Sequence, residues 1–339
     1  MEIRMRFDTW RIEPFVDTHE RQWDDFVMQV SLNGTFLHTR NFLNYHGKGK
    51  FIDASIEIYK GNKLVAVCPA CLQKNDGRNI LNSHKGSTFG GIVLHKDIYN
   101  AKDMMNLLET VENYLYCNEF DQVELKLTPD IFAKESMVLL EYVLQYYGYN
   151  SYKELNSYIP LDCDETELIK KFDRNKKRNI KKCENEKLWF HRLDSDSELE
   201  QFYQLLEINL TKHNLKPIHS LNEILEFHKV RLKDETKFYG VGLGNDILAA
   251  GMMFDFKTVN IIHAQNLSYN PFIERDYSPI SYLYYRIIMQ AKKDGYTKLT
   301  WGVSTENKGK VLNMGLIRNK ESYGSKYFLN KIYYKRIIK

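Results

Sequence analysis

Lys237-Phe238-Tyr239-Gly240-Val241, then Gly244-Asn245-Asp246, then Ile247-Leu248-Ala249-Ala250-Gly251-Met252-Met253-Phe254 is the stretch that organises the whole chain. Two apolar runs joined by a glycine-bearing polar turn predict an antiparallel β-hairpin. After the hairpin, residues 259–267 predict a strand, and Ser278-Pro279 and Gly295 bound a helix. Ser278 suits the cap that accepts free amides, and Pro279 suits the first helical position. Ile280, Leu283, Tyr284, Ile287, Ile288 and Ala291 form one apolar stripe at helical spacing. A strand over 296–301, a helix over about 310–320 and a closing strand from Tyr323 complete the series.

The same order stands in the first half. Residues 52–59 and 64–67 flank a Gly61-Asn62 turn, and a strand near 87–94 comes next. Met104, Leu107, Leu108, Val111 and Leu115 then define a helix over 101–116. A strand over 123–127, a helix over 136–147 closed by Gly148, and a strand over 152–159 finish it. Helices precede each hairpin: residues 23–28 in one half, 199–210 and 221–232 in the other. The chain therefore reads as one module built twice, with domains over 1–160 and 161–339.

Composition agrees with two ordinary domains. At ~150 residues per domain, 339 residues give about two. Hydrophobic residues at 43% and charged residues at 27% exclude collagen-like, disordered and disulfide-scaffold classes. A net charge of +4 excludes a histone-like surface and argues against DNA as partner. No apolar stretch is long enough to predict a membrane span, and residues 1–8 lack a signal peptide's apolar core, so the expected location is the cytoplasm. Five cysteines form an odd, irregular set that suits reduced thiols. Cys68-Pro69-Ala70-Cys71 is the one CxxC, and it reads as part of a continuing strand, with its thiols on opposite faces, rather than as a metal site.

A helical pair, an antiparallel meander and then α-β-α-β resembles the GNAT acyltransferase fold. Two copies in one chain resemble the FemABX-like branch of that superfamily. The resemblance implies an α/β (α+β) protein of tandem duplicated GNAT-like domains, with mixed, mostly antiparallel sheets flanked by helices. Two segments carry it. Asp173-Arg174-Asn175-Lys176-Lys177-Arg178-Asn179-Ile180-Lys181-Lys182 is similar to the basic R-x-N-I-x-K helix that opens the family's second copy. From 170 to 182 the balance is +7, which leaves the rest of the chain at −3. Leu168, Phe172, Ile180 and Cys183 form an inward stripe, so the cations project from an anchored helix. Near the end, Leu299-Thr300-Trp301-Gly302-Val303-Ser304-Thr305 and Gly315-Leu316-Ile317-Arg318-Asn319-Lys320-Glu321-Ser322-Tyr323-Gly324 resemble the family's aromatic-glycine strand end and its G-L-x-x-x-K-x-x-F/Y-G motif.

These segments supply the candidate site residues. Arg174, Lys177 and Arg178 are expected to grip phosphates of a sugar nucleotide, a CoA or a tRNA end. The same run also suits a solvated helix face. By the resemblance, Lys320 meets an anionic substrate or a developing oxyanion, while Trp301, Gly302, Ser304 and Thr305 line the acyl donor's arm. Ser304 and Thr305 equally suit a helix cap. His263 and Gln265 share one face of their strand by alternation, and neutral His263 is the preferred base. His46, His84 and Lys85 are acceptor-side candidates in the first half, the latter two in a glycine-rich loop.

One position departs from the pattern. Where GNAT enzymes carry a glycine-rich pyrophosphate turn, this chain has Arg275-Asp276-Tyr277-Ser278-Pro279. The glycines are missing and Pro279 removes a donor, which leaves Arg275 and Ser278 to hold a cofactor's phosphates. The expectation is an acyltransferase that moves acetyl from acetyl-CoA to an amine or hydroxyl of a sugar-containing, cell-envelope or polysaccharide precursor, with no metal and no tightly bound cofactor. Fem-type transfer from aminoacyl-tRNA to a peptidoglycan precursor is the alternative, and a non-catalytic ligand-binding pair is a third.

Overall fold

The computed structural model describes residues 9–45, 49–212 and 214–338. The chain divides into two compact units, Met1–Lys153 with Leu329–Lys339, and Glu154–Phe328.

In the second unit, the hairpin pairs Thr236–Leu243 with Asp246–Phe256. Ile261–Tyr269 adds antiparallel to the hairpin, and Lys298–Trp301 lies parallel to Ile261–Tyr269. A parallel neighbour requires a crossover, and the helix Pro279–Lys293 supplies it. Ser278 accepts from the Ser281 amide and Pro279 takes the first helical position, as the Ser-Pro signal requires. Leu283, Ile287, Ile288 and Ala291 are buried against Val241, Ala249, Met253 and Ile262. Residues 157–160 pair with Lys298–Trp301 on the far side.

The first unit has the same chain order with both middle strands broken. Ile56–Lys60 and Lys63–Cys68 form the expected hairpin, but the strand stops there and Cys71–Asn75 begins in a different sheet. The reading of a strand running through Cys68-Pro69-Ala70-Cys71 is thus corrected: proline has no amide for the ladder, and Ala70 bonds instead to Ser55 Oγ at 3.0 Å. Asp76 and Gly77, at φ 49° and 75°, turn the chain into Arg78–Ser83. The strand expected over 87–94 shrinks to Val93–Leu94. Arg78–Ser83 lies parallel to Gln122–Lys126, with the helix Ala101–Cys117 between them in sequence.

The closing strands are exchanged. Residues 154–160, which come after the first half's last helix, complete the second unit's sheet. The chain's final strand, Lys326–Arg336, pairs over 332–336 with Gln122–Lys126 in the first unit.

Candidate active site

The parallel pairing of Ile261–Tyr269 with Lys298–Trp301 ends at Ala264 opposite Trp301. Beyond that point the strands part. On one lip the register slips, with Met252 opposite Asn266 and Met253 opposite Ala264, so Gln265 is an extra, bulged residue. On the other lip Gly302 is exposed, and a Cβ built there meets no atom within 4 Å. The next residues are pinned: Ser304 donates its amide to the Leu155 carbonyl at 2.8 Å and accepts that of Asn313 at 2.9 Å.

Lys320 closes the base of this opening. The helix Met314–Glu321, capped by Asn313, turns Ile317 and Lys320 inward. Lys320 is 6% exposed, and its Nζ donates to the Gly302 carbonyl and, at 2.7 Å, to Ser304 Oγ. No carboxylate pairs with it among the described residues. Burial pushes its pKa down to about 8. An ammonium carries three protons, and with the carbonyl and the hydroxyl taking two of them, one donor is left for a ligand.

His263 is buried behind Lys320, with Nδ1 2.8 Å from Thr300 Oγ1. Burial first, and the nearby Lys320 charge second, push its pKa down to about 4, against a hydrogen bond with Gln265. It is neutral at working pH, and its conjugate acid is strongly disfavoured. The expected pairing of His263 with Gln265 is present, through the bulge rather than simple alternation. Thr300, one residue before Trp301, is a partner that the sequence reading missed, although its place in the parallel strand is the available signal.

The basic helix Arg174–Asn185 splits by function. Arg174, Lys177 and Arg178 are exposed, Lys177 donating to the Lys170 carbonyl at 3.0 Å. Lys176 instead turns inward, donating to Asn319 Oδ1 at 2.7 Å and Ser281 Oγ at 3.3 Å above the Tyr323 ring. Desolvation lowers its pKa. The signal was legible: 172, 176, 180 and 183 lie on the apolar stripe, so its one lysine must be partnered. Lys182 donates to the carbonyl and, at 2.9 Å, the carboxylate of Asp276.

A cleft of about 800 Å³ lies at the end of Ile261–Tyr269, lined by Tyr269, Arg275, Asp276, Tyr277 and Ser278 on one side and Gln201 and Leu205 on the other. Arg275 and Ser278 therefore share a cavity. The helix start beside it is filled from within the chain. Pro279 has no amide, Ser281 donates to Ser278 Oγ at 3.3 Å, and Tyr282 donates to the Ser278 carbonyl at 3.1 Å. Trp301 is buried, its Nε1 donating to Ser325 Oγ at 3.2 Å. Thr305 accepts from the Leu155 amide at 3.3 Å, and Asn313, rather than Ser304 or Thr305, caps the helix.

Of the first-half candidates, His46 lies outside the described residues. His84 is buried, with Nδ1 accepting the Gly86 amide at 3.1 Å, and desolvation pushes its pKa down to about 4. Lys85 is exposed in the same loop. Both belong to the first unit. Cys68 and Cys71 are buried free thiols, and burial raises the pKa of Cys68 to about 12.

Residues 170–308 match the family model described as an acetyltransferase (GNAT) domain. No curated protein matches the chain in sequence. Among solved structures, FemX superposes with a TM-score of 0.68 at 12% identity, covering 95% of this chain and 96% of its own. A tandem GNAT protein from the clavulanic acid biosynthesis pathway superposes at 0.54, with 8% identity and coverage of 98% and 99%. L-PGS from Bacillus licheniformis superposes at 0.52, with 14% identity and coverage of 82% and 83%. The chain has the fold of these solved structures, and residues 170–308 are similar to an acetyltransferase (GNAT) domain.

Proposed function

We propose that the protein transfers an acyl group, acetyl from acetyl-CoA, to an amine or hydroxyl of a sugar-containing acceptor. The observation that carries this reading is a buried ammonium, Lys320, with no carboxylate partner among the described residues, at the open end of a parted strand pair. Its remaining donor suits the oxygen of a carbonyl that becomes negative when a nucleophile adds. The Gly302 lip has room for the donor's arm. The acceptor's nucleophile bonds to the acyl carbon, the thioester C–S bond breaks, and the nucleophile's proton ends on the departing sulfur. His263 is too weakly basic to hold that proton, so its role is to orient Gln265. Arg275 and Ser278 hold the donor's phosphates in the cleft, and Arg174, Lys177 and Arg178 the acceptor's. CoA release in the presence of pooled sugar nucleotides is the test. Lys320→Met retaining donor binding while losing turnover supports the reading, and wild-type protein that neither binds nor cleaves acetyl-CoA ends the donor assignment.

A second reading rests on the helix start: with no amide on Pro279 and those of Ser281 and Tyr282 turned back onto Ser278, a pyrophosphate finds a poor backbone cradle there. An aminoacyl ester on RNA needs none, and the likeness to FemX supports that donor. Filter retention of charged tRNA, lost at high salt, favours this reading; no retention at low salt removes it.

A further inference from the structure

The segment between the Gly302 lip and Lys320 carries the densest run of exposed large apolar side chains among the described residues. Val311 is 48% exposed, Leu312 53%, Met314 47% and Leu316 44%, four within six positions. Exposed aliphatic residues on a soluble protein normally stand singly. These four are held on a defined support. Thr305–Glu306 and Val311–Leu312 pair as a short hairpin. Asn313 ties it to the site by donating its amide to the Ser304 carbonyl, and it donates Nδ2 to Glu306 at 2.9 Å. Ile317 and Lys320 anchor the helix from below.

The rim is cationic. Lys308, Lys310 and Arg318 are all exposed, and Glu306 is the one acid between 305 and 318, a balance of +2. Aliphatic side chains bordered by lysine and arginine match an anionic bilayer, where the apolar tips enter the headgroup boundary and the cations meet lipid phosphates. The aliphatic core carries no aromatic anchor or buried hydrogen-bonding group of the kind that dominates protein interfaces. We infer that this hairpin and helix start dock the protein on an anionic membrane surface. Ser304 links the patch to Lys320, so a lipid-anchored acceptor would present its headgroup beside the opening; that last step rests on the acyl-transfer reading, whereas docking does not.

Vesicle flotation of the full chain tests it. With vesicles of about one-third phosphatidylglycerol in phosphatidylcholine, the protein should float at low salt, and with phosphatidylcholine alone it should stay behind. Leu312→Asp with Met314→Asp should cut the floating fraction about tenfold while leaving the melting temperature unchanged, because both side chains are half exposed. Arg174→Glu with Arg178→Glu should leave flotation largely intact. Three results overturn the inference: no flotation on anionic vesicles, equal flotation on neutral ones, or binding abolished by the 174/178 pair and untouched by the 312/314 pair. A concentration-dependent dimer that the 312/314 pair dissolves, without flotation, assigns the patch to a second copy instead. Because flotation needs no acyl donor, its failure leaves the acyl-transfer reading standing.

Discussion

Each unit buries a basic side chain beside a histidine held neutral, but the two are satisfied in opposite ways. In the first unit Arg40 is 5% exposed and its charge faces a carboxylate: the terminal nitrogens donate to Asp53, to Ser55 Oγ at 3.0 Å and to Asn44 Oδ1 at 3.0 Å, while Nε has no partner among the described residues. Its guanidinium also lies 4.0 Å from the centre of the Phe15 ring. His84 feels both Arg40 and Asp53. In the second unit Lys320 has a carbonyl and a hydroxyl, and no carboxylate among the described residues. A buried charge neutralised by its neighbours serves the fold; one left partly unsatisfied is poised for something from outside.

The contrast breaks first under truncation. Lys320→Met should lower turnover by about a hundredfold to a thousandfold, the usual cost of removing one oxyanion donor, while stability holds or rises because an unpaired buried charge has gone. Arg40→Ala should do the reverse. It strands the half-exposed Asp53 and empties the space under Phe15, costing roughly 3 kcal/mol in urea unfolding, with turnover per folded molecule little changed. Equal stability losses in both variants would erase the distinction between the units.

Acid should act on several buried histidines over one pH window. His38, His84 and His263 are all pushed down to about 4 by burial, against about 6.5 when unfolded. Between those values the unfolded chain binds protons that the fold refuses, so stability falls as pH drops from 6.5 to 4 and is complete only above 6.5. Each pH unit across that window costs up to about 1.4 kcal/mol per histidine. His38→Gln, which keeps acceptors for Thr35, should flatten part of the slope; an unchanged urea midpoint from pH 7 to 5 would mean these rings are not buried neutral.

The second half was the more legible because its hairpin and crossover strands run on unbroken by proline, although the helix expected from about 310 starts at Met314, after the short strand Val311–Leu312, and the closing strand starts at Lys326 rather than Tyr323. The Ser278-Pro279 start, the hairpin at Gly244 and the lysine of the terminal motif were all readable. In the first half the same strands are cut at Pro69 and after Ser83, and the Asp76-Gly77 turn that signals the second hairpin went unread. Arg40 carried no local signal, because its value comes from Asp53 and Phe15, brought to it only by folding. The strand exchange was invisible for a related reason: the two closing strands are equally good strands, and nothing in either names its partner. The bulge at Gln265 is likewise a property of the pairing, not of one segment.

Alkaline titration is a finer probe of Lys320. If the charged form meets the oxyanion, turnover should fall about tenfold per pH unit above about 8, where burial has placed its pKa. Lys320→Arg, charged throughout, should move that limb upward even if its absolute rate is lower. A limb unmoved by arginine would belong to the acceptor amine.

The smallest effect is expected one bond further away. Thr300→Val is nearly isosteric and removes the hydroxyl 2.8 Å from His263 Nδ1 in a fully buried position. The ring then loses its tautomer constraint and one hydrogen bond, worth about 1 kcal/mol of stability. If His263 only fills space, turnover should track that loss of folded protein and nothing more. If it orients Gln265 at the opening, turnover should fall a further several-fold with KM for the donor unchanged, and Thr300→Ser should restore it by returning the hydroxyl without the methyl group.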